Sequence, residues 1–251
     1  GYVRDILING SSMYVAGNFT SIGGESRDRI ACLNISDAST TSWNPGAQEV
    51  VRSLAIYGTT IYAGGGFNYI GVLQRNNIAA FDAYTGRPTD FDPDPNGVIY
   101  SIVPDGSKIY VGGNYSTIGG KTRASIAALN ASDGSATDWD AGSGIVDVRA
   151  VAVDSSNVYI GGNFTQVDVT TRKRIASLNK STGALNSWNP DINNTVYTIV
   201  LNGSTVYAGG EFTSIGSETR NHIAEINLSD GTATPWNPNA TGGPVHTISQ
   251  S

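Results

Sequence analysis

The side chains best suited to chemistry stand directly after a leading Val or Ile. They are Arg4, Arg52, Tyr100, Arg149 and Tyr197, with His246 at the same place in a last, partial copy. A guanidinium fork takes a carboxylate through paired hydrogen bonds, and a phenol adds a flat face and a hydroxyl. A row of Arg and Tyr is therefore equipped to hold a sugar, a carboxylate or an acidic peptide. The same residues also suit a solvated strand end, which needs no ligand. A second set is Asp92, Asp94 and Asn96, within Asp92-Pro93-Asp94-Pro95-Asn96-Gly97. Its spacing presents oxygens as the first half of a calcium loop does, so calcium is the one cofactor the sequence admits. Val103 stands where such a loop places its Glu, and Asn189, Asp191 and Asn193 echo the pattern weakly. Asp-Pro and Asn-Pro are ordinary turn formers, so turn chemistry explains the run without a metal.

Catalysis finds little support. The two histidines, His222 and His246, have no recognisable nucleophile near them, and a triad or a zinc site needs more. Glycosidases place two carboxylates on either side of the bond they cleave; Asp5 and Asp147 lie near leading strands, but nothing in the sequence pairs them. Gly119-Gly120-Lys121-Thr122 has Tyr115 where a phosphate loop begins with Gly. No helix follows Gly64-Gly65-Gly66, as a dinucleotide fingerprint requires. No catalytic residue is assigned, and the expectation is a protein that is not an enzyme. Sequons at Asn18, Asn114, Asn163, Asn202 and Asn239 would accept glycans in an archaeal or eukaryotic secretory host. The abundance of Asn, Ser and Thr also produces such matches by itself.

Charge and composition narrow the partners. A net charge of −6 with few lysines gives no footprint for nucleic acid or an anionic membrane, and suits a cation or a neutral glycan. No apolar run approaches the ~20 residues of a membrane-spanning helix. The beginning of the chain has no basic stretch followed by an apolar one, which reads as a mature secreted form or an excised segment. The single cysteine, Cys32, excludes an internal disulfide and reads as a small core residue. The expected location is extracellular, at a cell surface.

The elements that must position these residues follow from a repeat. Tyr14, Tyr62, Tyr110, Tyr159 and Tyr207 recur at steps of 48, 48, 49 and 48 residues. Arg27, Arg75, Arg123, Arg172 and Arg220 keep those steps, as do Trp43, Phe91, Trp139, Trp188 and Trp236. Each unit holds short β-rich runs, such as 99–103, 108–113 and 125–130, punctuated by Asp105-Gly106 and Asp133-Gly134. Residues 136–139 read as a short fourth strand. Four strands per period of 48–49 residues, with no helical periodicity, predict an all-β fold of propeller blades. The repeats are 3–50, 51–98, 99–147, 148–195 and 196–244, forming a single domain over 1–251. Residues 245–251 begin a further first strand or serve in closure. Five blades closing a ring are expected, with a segment of a larger propeller as the alternative. The Trp of each repeat should wedge between adjacent sheets, and the Arg should stack on or bond within that wedge.

The run of apolar residues, Tyr, Gly-Gly and a downstream Trp resembles the kelch family of propellers. Gly-Gly-Asn-Phe-Thr-Ser-Ile-Gly-Gly, then Arg, Ile-Ala-x-Leu-Asn and Trp-Asn-Pro, is similar to the kelch-like, delta-60-like tandem propeller repeats of large prokaryotic surface proteins. It also resembles the repeats of fungal cell-polarity landmark proteins. The resemblance spans the whole chain and implies a propeller, with no shared catalytic residues to carry over. Leu129 and its equivalents depart from kelch, which usually has Tyr there. The expected role is a non-catalytic interaction or structural module, binding a glycan, an extracellular protein or neighbouring copies. A carbohydrate-active enzyme with channel carboxylates, or a structural repeat of a surface layer or filament, are the alternatives.

Overall fold

The computed structural model describes residues 1–249, and every regular element among them is a strand. Each repeat folds as a three-stranded antiparallel sheet in chain order. The first strands are Tyr2–Asn9, Val51–Tyr57, Val98–Asp105, Val148–Val153 and Val196–Asn202. The second are Ser12–Asn18, Thr60–Gly65, Lys108–Asn114, Asn157–Gly162 and Thr205–Gly210. The third are Ile30–Asn34, Ile78–Asp82, Ile126–Asn130, Ile175–Asn179 and Ile223–Asn227. Ile, Val and Tyr dominate them, as a pleated and half-buried surface favours. The tight turns joining first to second strands place Gly10, Gly58, Gly106 and Gly203 at positive φ. Blade four has no glycine there; the Asp154 carboxylate instead accepts the amides of Ser156 and Asn157 at 2.7 and 2.6 Å.

The fourth strand is shorter than expected. It touches the sheet through one bridge per blade, such as Leu129 to Ala136 and Leu178 to Leu185. The chain then turns away to bury the Trp. The segment between second and third strands is itself a small hairpin, with Thr117 opposite Thr122 and Ile118 opposite Lys121.

The chain forms two compact units that divide within the third blade. One holds residues 1–111, 115–122 and 128–137; the other holds 112–114, 123–127 and the chain from Asp138 on. In each, the apolar core lies between consecutive blades. In the first unit Tyr14, Ile30, Cys32 and Trp43 of blade one meet Val51, Leu54, Ile61 and Phe81 of blade two. Cys32 is therefore the core residue its neighbours suggested. In the second unit Tyr159, Ile175 and Trp188 meet Val196, Ile199, Val206 and Ile226.

The Trp of one blade reaches the next. Its indole N–H donates to the carbonyl closing the third strand: Trp43 to Asp82 at 3.0 Å, Trp139 to Asn179 at 3.0 Å, Trp188 to Asn227 at 2.9 Å. Trp43 also meets Tyr14 edge-on with centroids 5.1 Å apart, and Trp188 meets Tyr159 in the same way at 5.5 Å. The repeat arginine fixes the strand that carries the Trp. Arg27, Arg172 and Arg220 donate from Nη2 to the carbonyls of Thr41, Asn186 and Thr234.

The same repeat positions behave differently at the two ends of the repeat series. Val51, Ile99, Val148 and Val196 are fully buried, and Leu54, Ile102, Val151 and Ile199 nearly so, each against the blade before it. Val3 and Ile6, their counterparts in blade one, are 47% and 54% exposed. Trp236 is 40% exposed, where Trp43, Trp139 and Trp188 are buried. Val245 packs its Cγ1 on Gly209 of blade five as Val196 packs on Gly161 of blade four. The tail thus begins to cover blade five as a further first strand would.

Candidate functional site: the bulge residues of the first strands

The row of variable residues sits on a repeated irregularity. Val3 pairs with Gly17 and Asp5 with Ala16, so Arg4 is an extra residue, a β-bulge. The same shift puts Arg52 between the Val51–Gly65 and Ser53–Gly64 pairs. It puts Arg149 between Val148–Gly162 and Ala150–Gly161, and Tyr197 between Val196–Gly210 and Thr198–Gly209. A bulge re-aims one side chain away from its place in the pleat, freeing that position from the pattern that fixes its neighbours. That is why the repeat keeps Val or Ile before it and lets this residue vary.

The paired glycines make the bulge fit. A Cβ on Gly17, Gly65, Gly162 or Gly210 would stand 2.2, 2.1, 2.1 or 2.0 Å from the carbonyl oxygen just before the first strand's leading Val. The preceding glycine serves the next blade instead. A Cβ on Gly64 would meet Ile99 at 2.6 Å, and one on Gly161 would meet Val196 at 2.7 Å.

In the first unit Arg4 lies over the Tyr2 ring, 4.8 Å from its centroid, and Arg52 lies over Tyr100 at 5.5 Å. The Tyr2 hydroxyl is held below its ordinary pKa, chiefly by the hydrogen bond from Arg4, with the positive charge of Arg52 adding to it. The Asn18 amide bonds the same phenol. In the second unit Arg149 lies 5.3 Å over Tyr197, which stacks on His246 with centroids 5.0 Å apart. Here the polar atoms have partners. Arg149 donates from Nε and Nη2 to Asp147 Oδ2 at 3.0 and 2.9 Å, and the Tyr197 hydroxyl donates to Glu211. Burial and that Glu211 bond push the Tyr197 hydroxyl up to about 12. The structure thus assembles three of the five predicted residues in one unit and two, with His246, in the other.

Asp5 and Asp147 each have local work. Asp5 Oδ2 accepts the Leu54 amide of the next blade at 2.7 Å and Oδ1 the Ile6 amide at 2.9 Å. Burial raises its carboxyl above the usual range against the pull of those two bonds. Asp147 is engaged by Arg149.

The acidic link is built as a turn. Asp92 pairs with Arg75 at 3.1 Å, and Asp94 accepts from Asn76 at 2.6 Å. Asn96 Oδ1 accepts the amides of Ser116 and Thr117, pinning the following hairpin. Asn193 does the same for Thr213 and Ser214 one blade pair later. Among the described residues no three His, Cys, Asp or Glu side chains are grouped to hold a metal.

His222 occupies a backbone role. Arg29, Asn77, Ser125, Arg174 and His222 all have φ between 61° and 66°, the left-handed region. Their carbonyls accept from Gly17, Gly65, Gly113, Gly162 and Gly210. Of the sequons, Asn18, Asn114, Asn163 and Asn239 are exposed and Asn202 is half-buried. A cleft of about 510 Å³ lies elsewhere, in the second unit, between Asn189–Asp191, Ile215–Glu218 and Asp230–Ala233. Sequence reasoning named Asp147 without its partner Arg149, and it missed Glu211, the carboxylate on Tyr197. The one available signal was their acidity at positions where other repeats carry Tyr2, Val50 and Val98, or Asn18 and Gly66.

Three segments, residues 12–34, 104–136 and 204–233, match a family described as a β-propeller domain of unknown function (DUF5122). These blades are β-propeller blades. Solved structures agree on the fold. The computationally designed Ika8 protein matches 99% of this chain at 12% identity with a TM-score of 0.68. A chain of the mitotic checkpoint complex matches 93% at 16% identity with a TM-score of 0.61. This chain spans 65% of the length of each of those two. The designed Ika4 protein matches 73% of this chain, and 94% of its own, at 15% identity with a TM-score of 0.50. No curated protein matches in sequence.

Proposed function

We infer that the chain is a non-catalytic interaction module of an extracellular or cell-surface protein, and that the bulge rows are where it meets its ligand. One observation carries this. In four blades the first strand carries a bulge that takes one residue out of the ladder, and that residue is Arg or Tyr each time. Rings and guanidiniums there stack in pairs, the arrangement that suits a sugar face or a flat polar group. The two carboxylates that a glycosidase reading would use both have structural partners, which favours binding over hydrolysis. Exposed sequons and an acidic, lysine-poor surface support an extracellular setting.

The test is a glycan-array screen of the purified protein, with calcium and again with a chelator. Specific binding that falls when Arg52 or Arg149 becomes Ala supports the reading. Binding that survives both substitutions, or turnover of any glycoside, overturns it. Chelator sensitivity would bring Asp92, Asp94 and Asn96 back as calcium ligands.

A further inference from the structure

We propose that the first-unit row is a site for a carboxylate-bearing saccharide, with Arg4 and Arg52 as the groups that take the carboxylate. This rests on the interaction-module reading and goes further by naming the ligand chemistry.

The molecule contains its own reference for what a bulge arginine binds. Arg149 holds a carboxylate, Asp147, by two hydrogen bonds to one oxygen. At the position of Asp147 the first two blades carry Tyr2 and Val50. At the position of Glu211 they carry Asn18 and Gly66. A Cβ on Gly66 would make only ordinary contact with the Val98 and Val50 methyls, at 3.8 and 3.9 Å, so no acidic side chain stands there. Among the described residues Arg4 and Arg52 make no ion pair: Asp5 spends both oxygens on amides, and Glu49 pairs with neither. Arg4 and Arg52 are the bulge residues of neighbouring first strands, which the bond from the Leu54 amide to Asp5 Oδ2 at 2.7 Å holds together.

Two bulge arginines on neighbouring strands without an internal counter-ion leave fork donors for an anion from outside. The second unit supplies that anion itself and is closed to one. The neighbours of the arginines select the kind of carboxylate. Tyr2 and Tyr100 offer ring faces for the apolar side of a pyranose, and the Asn18 amide adds a polar group for a ring hydroxyl. Asn18 is itself a sequon, so a glycan attached there would stand beside the site.

The experiment titrates the protein with a glucuronate-containing oligosaccharide and with its carboxyl-reduced counterpart, by calorimetry at low and at physiological salt. The acidic sugar should bind, weaken as salt rises, and lose about tenfold in affinity when either Arg4→Gln or Arg52→Gln is introduced. The reduced sugar should bind at least about tenfold more weakly than the acidic one. Asp147→Asn, which keeps a residue tolerant of that backbone, should open a second site at Arg149 and raise the stoichiometry. Equal binding of acidic and reduced sugars would overturn the carboxylate assignment while leaving the interaction-module reading in place. An acidic peptide that competes at equal affinity, with the same arginine dependence, would overturn the saccharide assignment. No binding of either sugar, with binding of other glycans lost on mutating Arg149 alone, would move the site to the second unit and overturn the proposal.

Discussion

A glycine whose Cβ would stand 2.1 Å from a carbonyl oxygen leaves no room for any side chain, and four blades carry one at the bulge. Gly65→Ala should therefore destabilise the protein by about 2 kcal/mol or more, since the strand must shift to admit a methyl. Gly10→Ala meets nothing within 4 Å and suffers only its positive φ, at about 1 kcal/mol. Urea unfolding of the two variants checks the contrast. Titration gives a second residue-scale test. Asp37 and Asp82 are held below the usual carboxylate range by the hydroxyls of Ser39 and Thr85. Asp133 and Asp230 are held there by the amides of Ser135 and Thr232. A carboxyl whose folded pKa is depressed stabilises the fold above its unfolded pKa, near 3.9, and that contribution fades as pH falls through the folded value. Stability should thus drop on acidification below about pH 4. At the other end burial pushes the hydroxyls of Tyr14, Tyr110 and Tyr159 up to about 12. For them the sign reverses: the stabilisation is complete below the unfolded pKa of about 10 and is lost as pH rises towards 12. Thermal melts across pH would show both flanks, and a melt that stayed flat to pH 3 would contradict the acid half.

At the scale of the element, the blade was largely legible from spacing, and the site only in part. Strand positions and turns followed from β-branched runs and Asp-Gly pairs, because those signals act within a few residues. The wedge role of Trp43 and its equivalents was legible as well, because one large ring per repeat has few places to go. The bulge was not legible: a single extra residue leaves the alternation of a short strand almost unchanged, and only the ladder reveals Arg4 or Arg52 as unpaired. Asp5 looked like a chemical group and proved to be a cap for the Leu54 amide, a contact across 49 residues that no local pattern encodes. Burial of the first strand gives the element-scale prediction. Leu54→Ala should cost about 2–4 kcal/mol, because Leu54 is packed between blades one and two. Ile6→Ala, at the same repeat position but exposed, should stay within about 0.5 kcal/mol. Trp188→Phe should cost about 1 kcal/mol or more by leaving the Asn227 carbonyl without its indole donor. Denaturation midpoints of these three variants should fall in the order Ile6→Ala above Trp188→Phe above Leu54→Ala.

For the molecule as a whole, the repeat builds one scaffold five times and individualises it at few positions. Identical blades need identical contacts between them, so the Trp bond and the glycine seat recur. A binding site needs difference, and the bulge residues and the side chains around them supply it. The second unit satisfies its own arginine and tyrosine with Asp147 and Glu211, whereas the first leaves Arg4 and Arg52 without ion pairs. Ligand recognition on the bulge rows, as proposed, lies away from the cleft lined by Asn189, Gly216 and Asp230. The most direct test is a chemical-shift map of the isotope-labelled protein, titrated with the glycans that bind best on an array. The account predicts perturbations centred on Arg4, Arg52 and Tyr100. Perturbations centred instead on the cleft around Asn189, Gly216 and Asp230, with the bulge residues silent, would contradict it.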